Sequence, residues 1–457
     1  MLNTFPLIAR HPDHPVAFLT KPIESAGLAG GVISARTFLA HVNAVAAALE
    51  HGQYAINLCE NRYLFLVSFC AAIVRGHTNL LPPNKNVSTQ EQLSNEYTDS
   101  YVIHDGCDVF AEGNSINLLS VPVFVDEQHP FNVPAINNDH LACISFTSGS
   151  TGRSKPNLKY WRTLHRSTAI NFAFMIPPSS NTVFQLATMP AQHMWGLETS
   201  ALMALFHNVC TSDAKPLFPA DIMDILATMP EPRALISTPV HLRALSGSVN
   251  TAMPLHVVLC ATSPLTTQLA RDIEQQFSTA LHEVYGCSEV GSMAVRRTAT
   301  EQAWRRFDGI DFTHDAGSTT VTADHLPSPT VLQDVIIPAG DHHFTLAGRA
   351  TDLVKIAGKR GSLFEINQTL LGFEGLNDGI MLFPESTNAV PRLCAIVSLK
   401  DGVHKSSLIQ YLQQNLDNAF VPRPVYVVDE LPRETNGKLL KAKLDALYFS
   451  LKSRPKK

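Results

Sequence analysis

The residues most evidently arranged for chemistry are Phe146-Thr147-Ser148-Gly149-Ser150-Thr151-Gly152-Arg153-Ser154-Lys155-Pro156. Ala142 to Phe146 reads as a buried strand that runs directly into this Ser/Thr/Gly-rich loop. The two glycines allow a tight turn and close approach of backbone to an anion. Successive backbone N–H groups can then form a concave cradle for phosphate oxygens. The hydroxyls supply further donors or a Mg²⁺ ligand, and Lys155 adds a mobile positive charge. The loop is not a Walker A element, which requires Gly directly before Lys and Ser/Thr directly after it. Here Ser154 and Pro156 flank Lys155.

The elements around this loop follow an α/β pattern, with short apolar runs alternating with helical periodicity. Tyr54 to Leu58 predicts a strand, Arg62 to Arg75 a helix, and Asn79 to Leu81 a strand stopped by Pro82-Pro83. Leu255 to Cys260 and Leu281 to Tyr285 predict strands flanking a helix near Thr266 to Phe277. The longest apolar run, Tyr63 to Val74, is too short to span a bilayer and is expected to be a core helix. Near Gly348-Arg349-Ala350-Thr351-Asp352 the composition turns polar and hinge-like. A boundary is expected there, between a large domain of residues 1–348 and a small α+β domain of residues 349–457.

At 457 residues, 45% hydrophobic and 16% charged, the chain can bury large cores and is not of disordered composition. A net charge of -5 argues against general nucleic-acid binding. Lys452, Arg454, Lys456 and Lys457 read as a solvated basic tail. The eight cysteines form no CxxC pair or metal-spaced cluster, which fits reduced thiols in a cytoplasm. The first dozen residues show no signal-peptide pattern.

The phosphate loop closely resembles the signature loop of the adenylate-forming superfamily: acyl- and aryl-CoA synthetases, firefly luciferase and peptide-synthetase adenylation domains. The resemblance continues in order from about residue 54 to residue 445. It implies a large N-terminal domain of stacked α/β sheet subdomains and a small mobile C-terminal α+β domain. ATP and Mg²⁺ would be bound by Thr147 to Gly152 and Lys155, with Thr151 as a metal ligand.

The segment Ala187-Thr188-Met189-Pro190-Ala191-Gln192-His193-Met194-Trp195-Gly196-Leu197 resembles the family's next motif. By that resemblance His193 gates the carboxylate channel and Trp195 and Gly196 line the acid pocket, to which Ser237 and Thr238 add polar edges. No Asp stands where amino-acid-activating members usually have one, which disfavours an amino-acid substrate. Ala261-Thr262-Ser263-Pro264-Leu265 is similar to the segment beside adenine, although the family's usual Gly is absent. Thr262 would also face the acid. Tyr285-Gly286-Cys287-Ser288-Glu289 resembles the Tyr-Gly-x-Thr/Ser-Glu motif: Tyr285 and Cys287 would lie in the adenine site, Ser288 would bind phosphate, Gly286 would border the acid, and Glu289 would reach Mg²⁺.

Asp334, fifteen residues before Arg349, has the spacing of the ribose-binding Asp, with Asp341 as the competing residue; Leu332-Gln333 replaces the usual Thr-Gly. Arg349 would hold ribose or phosphate, and Thr351 stands at the hinge position. Lys355 and Gly358 would lie on the loop used in thioester formation. Leu431-Pro432-Arg433-Glu434-Thr435-Asn436-Gly437-Lys438 matches the loop bearing the adenylation lysine, Lys438.

The chemistry implied is acid–thiol ligation. A carboxylate does not acylate a thiol at neutral pH, because oxide is a poor leaving group. Attack on the α-phosphate of ATP exchanges it for AMP, after which a thiol of coenzyme A or of a carrier-protein phosphopantetheine displaces AMP. The protein positions reactants and neutralises phosphate charge, and a hinge supplies the second geometry. The chain's size and its Gln-His-Met-Trp-Gly-Leu-Glu segment resemble small bacterial ligases of aryl-polyene and xanthomonadin-type pigment synthesis, which implies a hydroxybenzoate-like acid and an acyl carrier protein. Arg296, Arg297, Arg305 and Arg306 form a basic stretch that either docks such a carrier or pairs with surface carboxylates. Alternatives are a fatty-acyl-AMP or fatty-acyl-CoA ligase and a non-catalytic nucleotide-binding relic.

Overall fold

Helix Arg62–Val74 shows how the sequence builds the interior. Every residue from Arg62 to Ile73 is buried, as expected of a helix that is apolar all round. Asn61 caps it, its side-chain oxygen accepting from Leu64 N at 3.1 Å. The computed structural model describes residues 3–49, 52–107, 109, 114–123, 130–147, 155–246, 253–315, 318–349, 352–356, 359–384, 392–434 and 437–453. The chain divides into two units, Met1–Ser237 with Thr251–Cys260 and Phe277–Met293, and Thr238–Asn250 with Ala261–Gln276 and Ala294–Lys457.

The first unit is α/β. A six-stranded sheet runs Lys155–Tyr160, Leu141–Thr147, Thr78–Leu81, Tyr54–Asn57, Ser100–His104, Ser115–Asn117. It is parallel except for Lys155–Tyr160, which pairs antiparallel with Leu141–Thr147. A second sheet runs Leu281–Cys287, Val257–Cys260, Arg233–Ser237, Val183–Ala187, Val209–Ser212, Pro15–Leu19, Gly31–Ser34, and is parallel except at the last pair. Such strands, covered on both faces, read as continuous apolar runs, and Val183–Ala187 and Val257–Cys260 are buried throughout.

The second unit contains an antiparallel group, Asp334–Pro338 beside His343–Arg349 beside Trp304–Arg306. It also holds a meander of Ile310–Asp315, Ser318–Ala323 and Thr330–Leu332. A further sheet of Leu376–Leu382, Cys394–Leu399 and Val425–Val427 shares a core with helices Leu363–Leu371 and Lys405–Asn415, centred on Leu370, Val397, Leu408 and Leu412. No helix among the described residues is long and apolar enough to cross a membrane.

Inside the first unit His41 is wholly buried, its Nδ1 3.0 Å from the Tyr63 hydroxyl. Burial lowers its pKa to about 4. The native state therefore stays neutral where the unfolded chain takes up a proton. The stability this gives is fully present above the unfolded pKa and is lost as pH falls toward the folded one. Between about pH 7.5 and about pH 5 this amounts to about 2 kcal/mol. His41→Gln is expected to flatten the acid limb of the unfolding free energy by that amount in urea titrations. An unchanged limb would contradict the assignment.

Candidate active site

The strands on either side of the Ser/Thr/Gly-rich segment expected to bind phosphate pair with each other. Leu141–Thr147 ends where the loop begins, and Lys155 resumes as the antiparallel partner of Thr147. Residues Ser148, Gly149, Ser150, Thr151 and Gly152 lie outside the described residues. Strand alternation puts Lys155, Asn157 and Lys159 on one face. Exposed Lys155 holds its Nζ 3.9 Å from Glu289 Oε1. Buried Lys159 donates from Nζ to the Glu289 carbonyl at 2.8 Å.

Glu289 belongs to the turn Ser288–Val290 that follows strand Leu281–Cys287. Tyr285 is buried in that strand. At Gly286 a Cβ would lie 2.4 Å from the Gly291 carbonyl, so only glycine fits. Burial pushes the Cys287 thiol up to about 12, keeping it neutral. The half-buried Glu289 carboxylate, a hard oxygen donor of the kind a divalent cation takes, is the group that Lys155 Nζ approaches.

His193 precedes the short helix Met194–Gly196, and its carbonyl accepts from Leu197 N at 2.7 Å. A Cβ at Gly196 would lie 2.1 Å from the Pro190 carbonyl, so the segment folds back tightly on itself. Trp195 is buried, and among the described residues its indole N–H has no acceptor. A π-helical turn, Leu197–Leu202, follows; such turns recur at functional sites. Buried Ser237 has its Oγ 3.1 Å from Thr188 Oγ1. Beneath this segment the Arg62 guanidinium donates to the carbonyls of Ala187 at 3.0 Å and Met189 at 2.7 Å, and to Ser200 Oγ.

In the second unit, Asp334 and Arg349 are register partners, with Arg349 Nε 3.2 Å from Asp334 Oδ1. The fifteen-residue spacing is thus the span of a hairpin. Asp341 lies exposed at its tip. Asp352 accepts from Arg349 N at 3.0 Å. Ala261 is buried and Ser263 half-buried, and between them Thr262 sits at φ 86, in the left-handed region that glycine occupies without strain. Thr238 opens helix Pro239–Leu245, its Oγ1 2.9 Å from His241 Nδ1.

The Lys438 loop lies against Thr238: a Cβ at Gly437 (φ 79) would stand 3.4 Å from Thr238 Oγ1. Arg433 braces the loop through Asp378 at 2.6 and 2.7 Å and the Gly437 carbonyl at 2.6 Å. Lys355 is exposed on strand Leu353–Ile356, while Thr351 and Gly358 lie outside the described residues. Of the basic stretch, Arg297 pairs with Glu274 and Arg306 with Asp311, and Arg296 covers the Trp304 ring at 4.3 Å.

The structure thus brings together Lys155 with Glu289, Asp334 with Arg349, and the Lys438 loop with Thr238. Sequence reasoning missed Arg62, Lys159 and the Arg433–Asp378 pair. For Lys159 the available signal was its period-two spacing from Lys155.

The chain matches two family models, AMP-binding enzyme over residues 8–314 and AMP-binding enzyme C-terminal domain over residues 384–438. It is similar to a 4-coumarate–CoA ligase of Rhodobacter capsulatus, 27% identical over 53% of this chain and 60% of that ligase. The match therefore spans less than two thirds of the relative's length. A 3,4-dihydroxybenzoate–[aryl-carrier protein] ligase of Bacillus anthracis is 20% identical over 66% of this chain and 73% of the relative. Among solved structures, ATP-bound MatB from Rhodopseudomonas palustris superposes with a TM-score of 0.76 at 18% identity, covering 95% of this chain and 96% of that one. That likeness shows a shared fold.

Proposed function

The chain belongs to the AMP-binding enzyme family, and from that premise we propose that it activates an aromatic carboxylic acid with ATP and transfers the acyl group to a thiol of coenzyme A or of a carrier-protein phosphopantetheine. The observation that carries this reading is the meeting of Lys155, at the end of the phosphate loop, with Glu289, at 3.9 Å. It joins a cation suited to the phosphates and a carboxylate suited to a metal at one place.

In this reading the acid enters past His193 and packs on Trp195, Gly196 and Gly286, with Ser237, Thr238 and Thr262 at polar edges. Its carboxylate attacks the α-phosphate, and pyrophosphate leaves. Tyr285, Cys287, Ala261, Thr262 and Ser263 hold adenine; Asp334 and Arg349 hold ribose. Thr147 to Gly152, Ser288 and Lys155 bind the phosphates. Thr151 and Glu289 would hold Mg²⁺, which supplies charge neutralisation there when bound. Lys438 neutralises the charge that builds between carboxylate and α-phosphate. A small domain of residues 349–457 then turns about Thr351, and the loop with Lys355 and Gly358 admits the thiol, which displaces AMP.

The buried Trp195 supports a flat, partly aromatic acid site. The names of the relatives, a coumarate ligase and a dihydroxybenzoate ligase, support an aryl acid. Pyrophosphate exchange across benzoates, cinnamates and fatty acids is expected to give the highest kcat/KM with a hydroxylated aryl acid. A higher value for a long-chain fatty acid would overturn the acid assignment. Acylation rates of coenzyme A and a holo-carrier at equal concentration decide the acceptor.

A further inference from the structure

We propose that Lys159 and Glu198 are positioning residues that hold the turn carrying Glu289 and the start of the strand that follows it, and thereby set the magnesium dependence of ATP binding and adenylation. This inference rests on the proposed activity for its functional consequence, but not for the clamp itself.

The two side chains reach the turn from different elements of the same unit. Lys159 comes from strand Lys155–Tyr160 and donates to the carbonyl of Glu289 at 2.8 Å. Glu198 comes from the π-helical turn Leu197–Leu202. Its Oε2 accepts from Ser292 N at 3.3 Å and Ser292 Oγ at 3.0 Å, with Asn171 Nδ2 at 3.4 Å. One group therefore holds the backbone at the metal-facing residue, and the other holds it three residues on. Between them Gly291, at φ 96, leaves room for the carboxylate: a Cβ there would lie 2.4 Å from Glu198 Oε1.

Both groups are buried, Lys159 at 1% and Glu198 at 2% exposure. Charges are rarely placed so deep unless they compensate each other or are well hydrogen-bonded. Burial lowers the Lys159 pKa and raises that of Glu198, and each charge opposes the shift of the other. An apolar pair would fill the same space at lower desolvation cost, so a role in fixing geometry accounts for the charges better than stability does. Lys155 on the same strand face reaches the Glu289 carboxylate, so one strand addresses both the backbone and the side chain of that residue. Partners that orient a metal ligand typically govern metal affinity by about 10–100-fold.

The test uses the full-length double variant Lys159→Met/Glu198→Gln, which removes both charges together and leaves neither uncompensated. Amide hydrogen exchange in the ligand-free protein is expected to quicken about tenfold or more in peptides covering residues 286–292 and to stay unchanged elsewhere in the same sheet. The half-saturating Mg²⁺ concentration for calorimetric ATP binding, and for acid-dependent pyrophosphate exchange, is expected to rise about tenfold. ATP binding without Mg²⁺ should not change. A folded double variant with wild-type amide exchange, or with a wild-type Mg²⁺ midpoint, overturns the proposal. If the double variant does not fold, Ser292→Ala, which removes one donor to Glu198 at little change in volume, is expected to shift both readouts in the same direction by a smaller factor; no shift overturns the proposal. Should the wild type bind MgATP but catalyse no acid-dependent exchange, the activity reading fails while the clamp is still judged by amide exchange and Mg²⁺-dependent binding.

Discussion

Replacing Lys438 by alanine is expected to reduce ATP–pyrophosphate exchange by about a hundredfold or more while leaving transfer from supplied acyl-adenylate to the thiol near the wild-type rate. The first half-reaction concentrates negative charge where the acid meets the α-phosphate. Loss of one positioned donor in a dry site costs about 3–4 kcal/mol, which is that factor in rate. The Lys438 loop is built as a braced platform: Arg433 ties it to Asp378 and to the Gly437 carbonyl, and Gly437 packs on Thr238. The expected loss therefore reports the missing ammonium and not a collapsed loop. In the proposed mechanism the thioester step uses a different face of a small domain, near Lys355 to Gly358. Gly358→Leu is accordingly expected to spare exchange and block thiol entry. Equal slowing of both half-reactions by Lys438→Ala in a folded protein would rule out an alternating domain.

Arg62→Met is expected to be strongly destabilising, by about 3 kcal/mol or more in urea unfolding, because it strips three buried acceptors of their donor. Arg62 is 2% exposed, and burial lowers its pKa to about 10, which leaves it charged at neutral pH. Methionine fills much of the space but returns no donor to the carbonyls of Ala187 and Met189 or to Ser200 Oγ. Buried acceptors stripped of partners cost about 1–3 kcal/mol each. Because those carbonyls lie just ahead of His193 and Trp195, the KM for the acid should rise in the surviving folded protein. A loss below about 1 kcal/mol would show that the guanidinium is not what holds this segment.

The elements that carry the site were legible because they begin and end on strong local signals. Leu141–Thr147 was expected from Ala142 to Phe146, Arg62–Val74 from Arg62 to Arg75, and Val257–Cys260 from Leu255 to Cys260. Apolar period, Gly and Pro are read residue by residue, so such elements emerge to within a residue or two. Lys159 and Glu198 were not legible, since a lysine and a glutamate in isolation read as solvent-facing and only tertiary packing makes them a buried clamp. In sequence Arg62 reads only as a helix start, because its acceptors lie more than a hundred residues away. The hairpin joining Asp334 to Arg349 gives the fifteen-residue spacing a physical cause that the sequence did not disclose. The sequence shows that Ala261 or Thr262 stands where glycine is usual in the resemblance, but not which; the φ of 86 at Thr262 is a property of the folded backbone.

The central claim, that this chain makes an acyl-adenylate, is tested most directly by ATP–pyrophosphate exchange with the purified wild-type protein and a hydroxylated aryl acid. The account predicts exchange that requires both the acid and Mg²⁺ and disappears in Lys438→Ala. Absence of exchange with every acid of the benzoate, cinnamate and fatty-acid panel, in a protein that still binds MgATP, would contradict it.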